Sequence, residues 1–192
     1  MTDNVHDHID ILVIGAGQAG LAIAHLLNES GVRFMVLEGQ SRIGDSWRQR
    51  YDSLVLFSSR AFSALPDFPL NGDPAGYADK NEIADYLEAY ARVTRLPIEL
   101  NQRVTTLEQT DRGFTTRTAS GRQITATCVI VAAGPFQRAI VPVFARRLAI
   151  DVQQFDGTTY RNSLQLPSGR ILVVGDGPTG RQISLEVART HQ

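Results

Sequence analysis

Two glycine turns of one design constrain this chain more than any other feature. Gly15-Ala-Gly17-Gln18-Ala19-Gly20 follows the apolar run Ile9 to Ile14, and Gly175-Asp-Gly177-Pro-Thr179-Gly180 follows Ile171 to Val174. Each reads as a strand entering a helix through a turn that glycine alone fits. The first glycine permits the tight turn, the second lets the backbone approach a pyrophosphate, and the third lets the helix pack on the strand. Unpaired N–H groups at such a helix N-terminus favour an anion. One turn points to one nucleotide. Two, 160 residues apart, point to two nucleotides and to electron transfer between them.

The spacing around the first turn completes a β-α-β unit. Leu21, Ile23, Ala24, Leu26 and Leu27 give the helix a broad apolar face, Gly31 is its stop, and Val32 to Leu37 is the second strand. Glu38 ends that strand, eighteen residues after Gly20. A carboxylate there accepts both hydroxyls of an adenosine ribose, which fits FAD or NAD and repels a 2′-phosphate. A surface glutamate at a strand end is the plainer reading.

Beyond this unit the chain is turn-rich and aromatic from Gln40 to Pro74, a length of loop that usually carries function. Asp79-Lys-Asn-Glu82 has the layout of a capping box and opens a helix with Ile83, Leu87, Tyr90 and Ala91 on one face, closed before Pro97. Short strands are expected around Ile98 to Leu107, Phe114 to Thr118 and Gln123 to Thr127, with a further one at Val129 to Ala132. A boundary falls at Leu166 to Gly169. The fold class is α/β, a Rossmann-like three-layer β-α domain with a small β-meander, followed by the start of a second Rossmann-like unit.

Composition removes several functions. With 192 residues, 43% of them hydrophobic, the chain can bury one core and part of another. Its net charge of −1 gives no basic surface for nucleic acid, and the arginines from Arg138 to Arg147 are too sparse for a patch. Met1 to Asp10 lacks the basic start and cleavage site of a signal peptide, and no apolar run approaches the ~18 residues of a membrane span, so a cytoplasmic protein is expected. Cys128 stands alone, which excludes an internal disulfide or a Cys-x-x-Cys redox pair, and its apolar surroundings predict a buried thiol. The histidines show no metal-ligand spacing. His6 and His8 read as a disordered end, His25 as a helix residue.

Gly44-Asp-Ser-Trp47-Arg48 resembles the Gly-x-x-Trp segment of flavin-containing monooxygenases. Leu54 to Ser59, Leu65-Pro-Asp-Phe-Pro69, Lys80 to Tyr90, Val129 to Gly134, Val141-Pro142 and Tyr160-Arg-Asn162 agree with it. Across essentially its whole length the chain resembles the two-dinucleotide flavoproteins related to flavin-containing and Baeyer–Villiger monooxygenases, and bacterial flavoproteins among them. The resemblance implies an FAD-binding domain over residues 1–140, a linker over 141–168, and the beginning of an NAD(P)H-binding domain over 169–192. It puts Gly15, Gly17, Gln18, Ala19 and Gly20 on the FAD pyrophosphate and Glu38 on the ribose. Gly44 and Trp47 lie along the flavin side, unless Trp47 is only a packing aromatic. Val104 meets the adenine, and Ala133 and Gly134 pass close to the dinucleotide. Gly175, Gly177, Thr179 and Gly180 hold NADP (or NAD).

The implied activity is that of a flavin-dependent monooxygenase, oxygenating a small organic substrate with O2 through a C4a-peroxyflavin, with Trp47, Phe57 and Phe62 as candidates to exclude water. A flavin reductase and a non-catalytic nucleotide-binding remnant remain as alternatives. Three positions depart from the family pattern. Asp176 stands beside the second pyrophosphate, with Arg181 able to offset it; Phe57 replaces an asparagine; Asp156 replaces a histidine. The second unit is only begun at Gln192, which predicts an unpaired strand and an uncovered helix face. A fragment, a truncated product, or a chain completed by a partner or a homo-oligomer would each account for that.

Overall fold

The computed structural model describes residues 7–191. One six-stranded sheet organises them, in the order β3-β2-β1-β6-β5-β4. Its strands are β1 (Asp7–Ile14), β2 (Phe34–Leu37), β3 (Ile98–Glu99), β4 (Val104–Thr110), β5 (Gly113–Thr118) and β6 (Gln123–Val131). β1 pairs in parallel with β2 and with β6, and β2 in parallel with β3. The β4-β5-β6 meander is antiparallel. β6 therefore belongs to both parts, because residues from Ile124 to Ala126 pair with β1 on one edge while Gln123 to Ala126 pair with β5 on the other. The sequence suggested two short strands here; a single strand serves two neighbours at once.

Helices α1 (Gln18–Ser30) and α4 (Lys80–Thr94) cover one face of the parallel strands. Between them and the sheet lies a core of Val13, Leu21, Ala24, Val36, Ile83, Leu87 and Tyr90, all fully buried. On the other face Leu12 and Leu37 pack against Ile124, Ala126 and Val104 of the meander. The parallel strands thus lie between the helices on one face and the folded-over meander on the other.

Local chemistry explains the helix ends. α1 stops at Gly31 in the left-handed conformation (φ 73°). Asp79 accepts from the N–H groups of Asn81 and Glu82, while the Glu82 carboxylate takes the Asp79 N–H, so the capping box is complete. The aromatic loop holds two single-turn helices, α2 (Asp45–Arg48) and α3 (Arg60–Ser63). Arg48 reaches Asp85 and Glu88 of α4 at 2.7 and 3.1 Å, which fixes α2 on that helix. The last helix is α5 (Pro178–Val187).

Several expectations are corrected. Ile171 to Val174 joins no strand among the described residues: a strand needs a hydrogen-bonded neighbour, and Leu172 and Val174 are exposed. Leu185 on α5 is exposed as well, as an uncovered helix face requires. Cys128 is exposed, because the helices pack on β1 and β2 and leave this position of β6 to solvent. Leu26 of α1 points outward. His8 lies in β1, where its ring meets the Thr125 hydroxyl at 3.2 Å, instead of in a disordered end; His6 falls outside the described residues.

Candidate functional site

The chain passes from β1 to β2 on one side and returns as β6 on the other, so the carboxyl ends of β1 and β6 meet at a topological switch point, the place where open α/β sheets bind ligands. Ile14 is in register with both Leu37 and Val131, which brings Gly15, Glu38 and Ala132 to one edge. Gly15 donates to the Leu37 carbonyl at 2.8 Å, and Ala132 donates to the Ile14 carbonyl at 2.8 Å. Gly15 has φ 103°, and a Cβ on it would fall 2.5 Å from the Ala132 carbonyl oxygen. Only glycine turns the chain here. A Cβ on Gly17 would meet nothing within 4 Å, so open space faces the middle of the turn.

Gln18, Ala19 and Gly20 form the first turn of α1, and no side chain caps that helix. Its first N–H groups are left for an external acceptor. α4, by contrast, is fully capped by Asp79 and Glu82. Glu38 accepts from the Ala16 N–H at 2.7 Å through one oxygen and from the Gln40 N–H at 2.9 Å through the other. Each oxygen keeps a lone pair for a further donor. The segment before β4 crosses the same edge: Gln102 donates its N–H to the Glu38 carbonyl at 2.8 Å, which places Val104 beside it. The Gln102 Oε1 is buried with no hydrogen-bond partner among the described residues. Ala133 and Gly134 leave β6 at the same edge, and both are exposed.

Gly44 and Trp47 are placed by packing. Gly44 has φ 87°, and a Cβ would lie 2.6 Å from the Ala84 carbonyl oxygen, so α2 can approach α4 this closely only with glycine there. Trp47 is half-buried and touches both the main core and a smaller cluster of Tyr51, Leu54, Tyr160, Leu166 and Ile183. Phe57 is 78% exposed and Phe62 89%, so neither forms a wall against water within this chain.

The second turn repeats the first. Gly175 has φ 119°, Gly177 is the N-cap at φ −76° and ψ 175°, and α5 likewise lacks a capping side chain. Pro178 stands at the first helical position, where no N–H is needed. Thr179 follows in that first turn, with Gly157 beside its methyl group. Asp176 forms an ion pair with Arg181 of α5, at 2.9 and 3.0 Å, and this partner holds its carboxyl below the usual range. Asp156 accepts from the N–H groups of Thr158 and Thr159, at 2.7 and 3.1 Å, and so builds a turn in place of the imidazole of the family pattern.

What the sequence did not disclose is the contact between the two units. Lys80, almost fully buried, donates to Asp52 at 2.6 Å and to the Arg50 carbonyl at 2.8 Å; Asn162 donates to the other Asp52 oxygen at 2.7 Å. These two donors hold the Asp52 carboxyl below its ordinary range. Tyr51 donates to Gln182 of α5 at 2.9 Å. Burial pushes the Tyr51 phenol up, against the pull of the Thr179 hydroxyl beside it. Tyr160 is buried without a well-formed hydrogen bond, and burial with the nearby Glu186 carboxylate pushes its phenol up. Lys80 is visible in the sequence as the residue after the helix cap; nothing there marks its partner.

The family model described as pyridine nucleotide-disulphide oxidoreductase matches residues 12–192. The chain belongs to that family. It is 47% identical over 184 residues to the uncharacterized oxidoreductase CzcO-like of Geobacillus kaustophilus, covering 96% of this chain and 53% of that protein. The structure superposes on a variant flavin monooxygenase from Stenotrophomonas maltophilia with a TM-score of 0.89 at 28% identity, over 96% of this chain and 56% of that one. It also matches OTEMO in complex with FAD and NADP, with a TM-score of 0.60 at 25% identity, over 70% of this chain and 27% of that one. The chain spans about half the length of the curated relatives it matches. The disulphide of the family's name has no counterpart here, since the chain holds one cysteine.

Proposed function

We propose that the protein is an FAD-dependent, NAD(P)H-using oxidoreductase of the flavin monooxygenase type, acting on a small organic substrate with O2. The observation that carries this reading is the repeated, uncapped glycine turn, at Gly15 to Gly20 and again at Gly175 to Gly180. Residues 1–140 form the FAD-binding part, 141–168 the linker, and 169–192 the start of the NAD(P)H-binding part.

The residues present fit FAD. Gly17, Gln18, Ala19 and Gly20 offer open backbone donors to its pyrophosphate, Gly15 turns the chain so that they face it, and Glu38 offers acceptors to its ribose. Val104 borders the adenine, and Ala133 and Gly134 the rest of the dinucleotide. Gly44 and Trp47 hold the loop on the flavin side. Gly175, Gly177, Thr179 and Gly180 offer the same kind of cradle to NADP or NAD. A flavin so held supplies two-electron transfer from the nicotinamide and reaction with O2. The residues of this chain bind and orient; Asp176, engaged by Arg181, leaves the second pyrophosphate site without a free opposing charge.

The test is a product balance on FAD-loaded protein. Oxygenation consumes NADPH, H+, O2 and substrate and yields NADP+, water and one oxygenated product per NADPH. One H2O2 per NADPH, with no oxygenated product, supports a second reading, an NAD(P)H:acceptor flavin reductase. No FAD binding by a folded chain leaves a nucleotide-binding remnant.

A further inference from the structure

Gln182, two residues past Gly180, makes an unusual set of contacts with the first unit. Its Nε2 donates to the Val55 carbonyl at 2.6 Å, while its Oε1 accepts from the Val55 N–H at 3.3 Å and from the Tyr51 hydroxyl at 2.9 Å. A side-chain amide paired with both polar groups of one residue does what a neighbouring strand would do. Val55 lies in none of the six strands and otherwise makes an isolated bridge with Asp79. The amide can sit only one way round, because a carbonyl must face its NH2 and two donors must face its oxygen. Tyr51 is 2% exposed, so its hydroxyl requires a partner inside the protein.

One turn further along α5, Glu186 accepts from the Ser53 hydroxyl and from the Ser163 N–H, the latter at 2.8 Å. The gripped segment, residues 51–55, continues directly from α2 and is tied to the start of α4 through Lys80 and Asp52. The placement of α5 is thus set from the first unit.

We infer that Gln182 is a positioning residue for the second nucleotide turn, a lock that fixes α5, and with it Gly175 to Gly180, against residues 51–55. Its consequence for hydride transfer rests on the reading of that turn as a nicotinamide nucleotide site. The lock makes a sharp chemical demand. Glutamate has the same shape and still accepts from Tyr51 and the Val55 N–H, but its carboxylate cannot donate to the Val55 carbonyl and faces it as a second acceptor. Protonation of the introduced carboxyl restores a donor.

The experiment is amide hydrogen exchange on the full chain, wild type against Gln182→Glu and Tyr51→Phe, each compared at matched pH. In Gln182→Glu, peptides covering residues 178–187 exchange about tenfold faster at neutral pH, with α1 and α4 as in wild type; the difference shrinks toward pH ~4, where the introduced carboxyl, facing the Val55 carbonyl and one turn from Glu186 but accepting from Tyr51 and the Val55 N–H, takes up a proton. Tyr51→Phe gives a smaller change in the same peptides. Unchanged α5 exchange, equal acceleration throughout the chain, or a pH-independent effect each overturns the lock. A parallel anaerobic titration follows flavin reduction by NADPH. The lock predicts that Gln182→Glu slows reduction at saturating NADPH about tenfold, with the NADPH Kd within about twofold of wild type; an unchanged rate overturns the positioning role. Failure of wild type to be reduced removes the nicotinamide reading of the turn, while the exchange data still decide the lock.

Discussion

Gly20 rests against the carbonyl of Gly15 so closely that a Cβ on it would fall 1.9 Å from the oxygen, and Gly180 repeats the relation with Gly175 at 2.1 Å. The third glycine of each turn is therefore demanded by the packing of helix on turn, whatever is bound. The middle glycine is not, since a Cβ on Gly17 would enter open space. The two positions separate stability from binding.

Gly20→Ala forces the turn apart and is expected to cost about 3 kcal/mol or more, seen as a large fall in Tm. Gly17→Ala keeps the fold, with a loss of about 1 kcal/mol at most at an N-cap of φ −81°. FAD retention falls at least tenfold in Gly17→Ala because the methyl group occupies the space of the phosphate. Thermal unfolding with a flavin-binding titration on both variants checks the pair.

Glu38→Gln is expected to weaken FAD about tenfold to a hundredfold, since hydrogen bonds to a charged acceptor are worth about 1.5–3 kcal/mol. The fold persists, because the amide oxygen still takes one of the N–H groups of Ala16 and Gln40. Equilibrium binding of FAD, alongside circular dichroism, measures both.

Burial, reinforced by Tyr86, Asp67 and Glu29, pushes Tyr90 up to about 12, and burial also raises Tyr51, Tyr86 and Tyr160. Unfolded tyrosine ionises near ~10. A folded value above the unfolded one gives stability that is complete below pH ~10 and is lost as pH rises toward ~12. An ultraviolet tyrosinate titration should therefore show these phenols ionising together with loss of the fold. At the acid end, Arg42 holds Glu88 low, and Lys80 and Asn162 hold Asp52 low. Their contribution is present above about pH 4 and fades as pH falls through the lowered values, which an acid unfolding curve checks.

Much of this architecture is written locally. Gly31, the Asp79 capping box and the spacing from Gly20 to Glu38 depend on neighbours a few residues away or on one β-α-β unit, so the sequence is enough to read them. Cys128 misled because an apolar strand does not say which of its positions a helix will cover. Ile171 to Val174 has the composition of a strand, but a strand also needs a partner. The Tyr51–Gln182 contact joins residues far apart in the chain, and a glutamine on a helix carries no mark of such a role. The position of Gly44 was legible, yet its contact with the Ala84 backbone is a packing requirement that a motif alone does not express.

Cys128 is expected to react with an aromatic disulfide reagent in the native chain, rapidly and to about one thiol per molecule, as an exposed side chain without a competing partner should. Slow reaction that quickens only on denaturation would mean that this part of β6 is covered in solution.

The central claim is that the first glycine turn holds FAD. The chain should be incubated with FAD, desalted, and its visible spectrum recorded, with Gly17→Ala treated in parallel. The account predicts a protein-bound flavin band near ~450 nm in wild type that is lost in the folded variant. A folded wild-type chain that emerges colourless, or a variant that keeps the band, would contradict it.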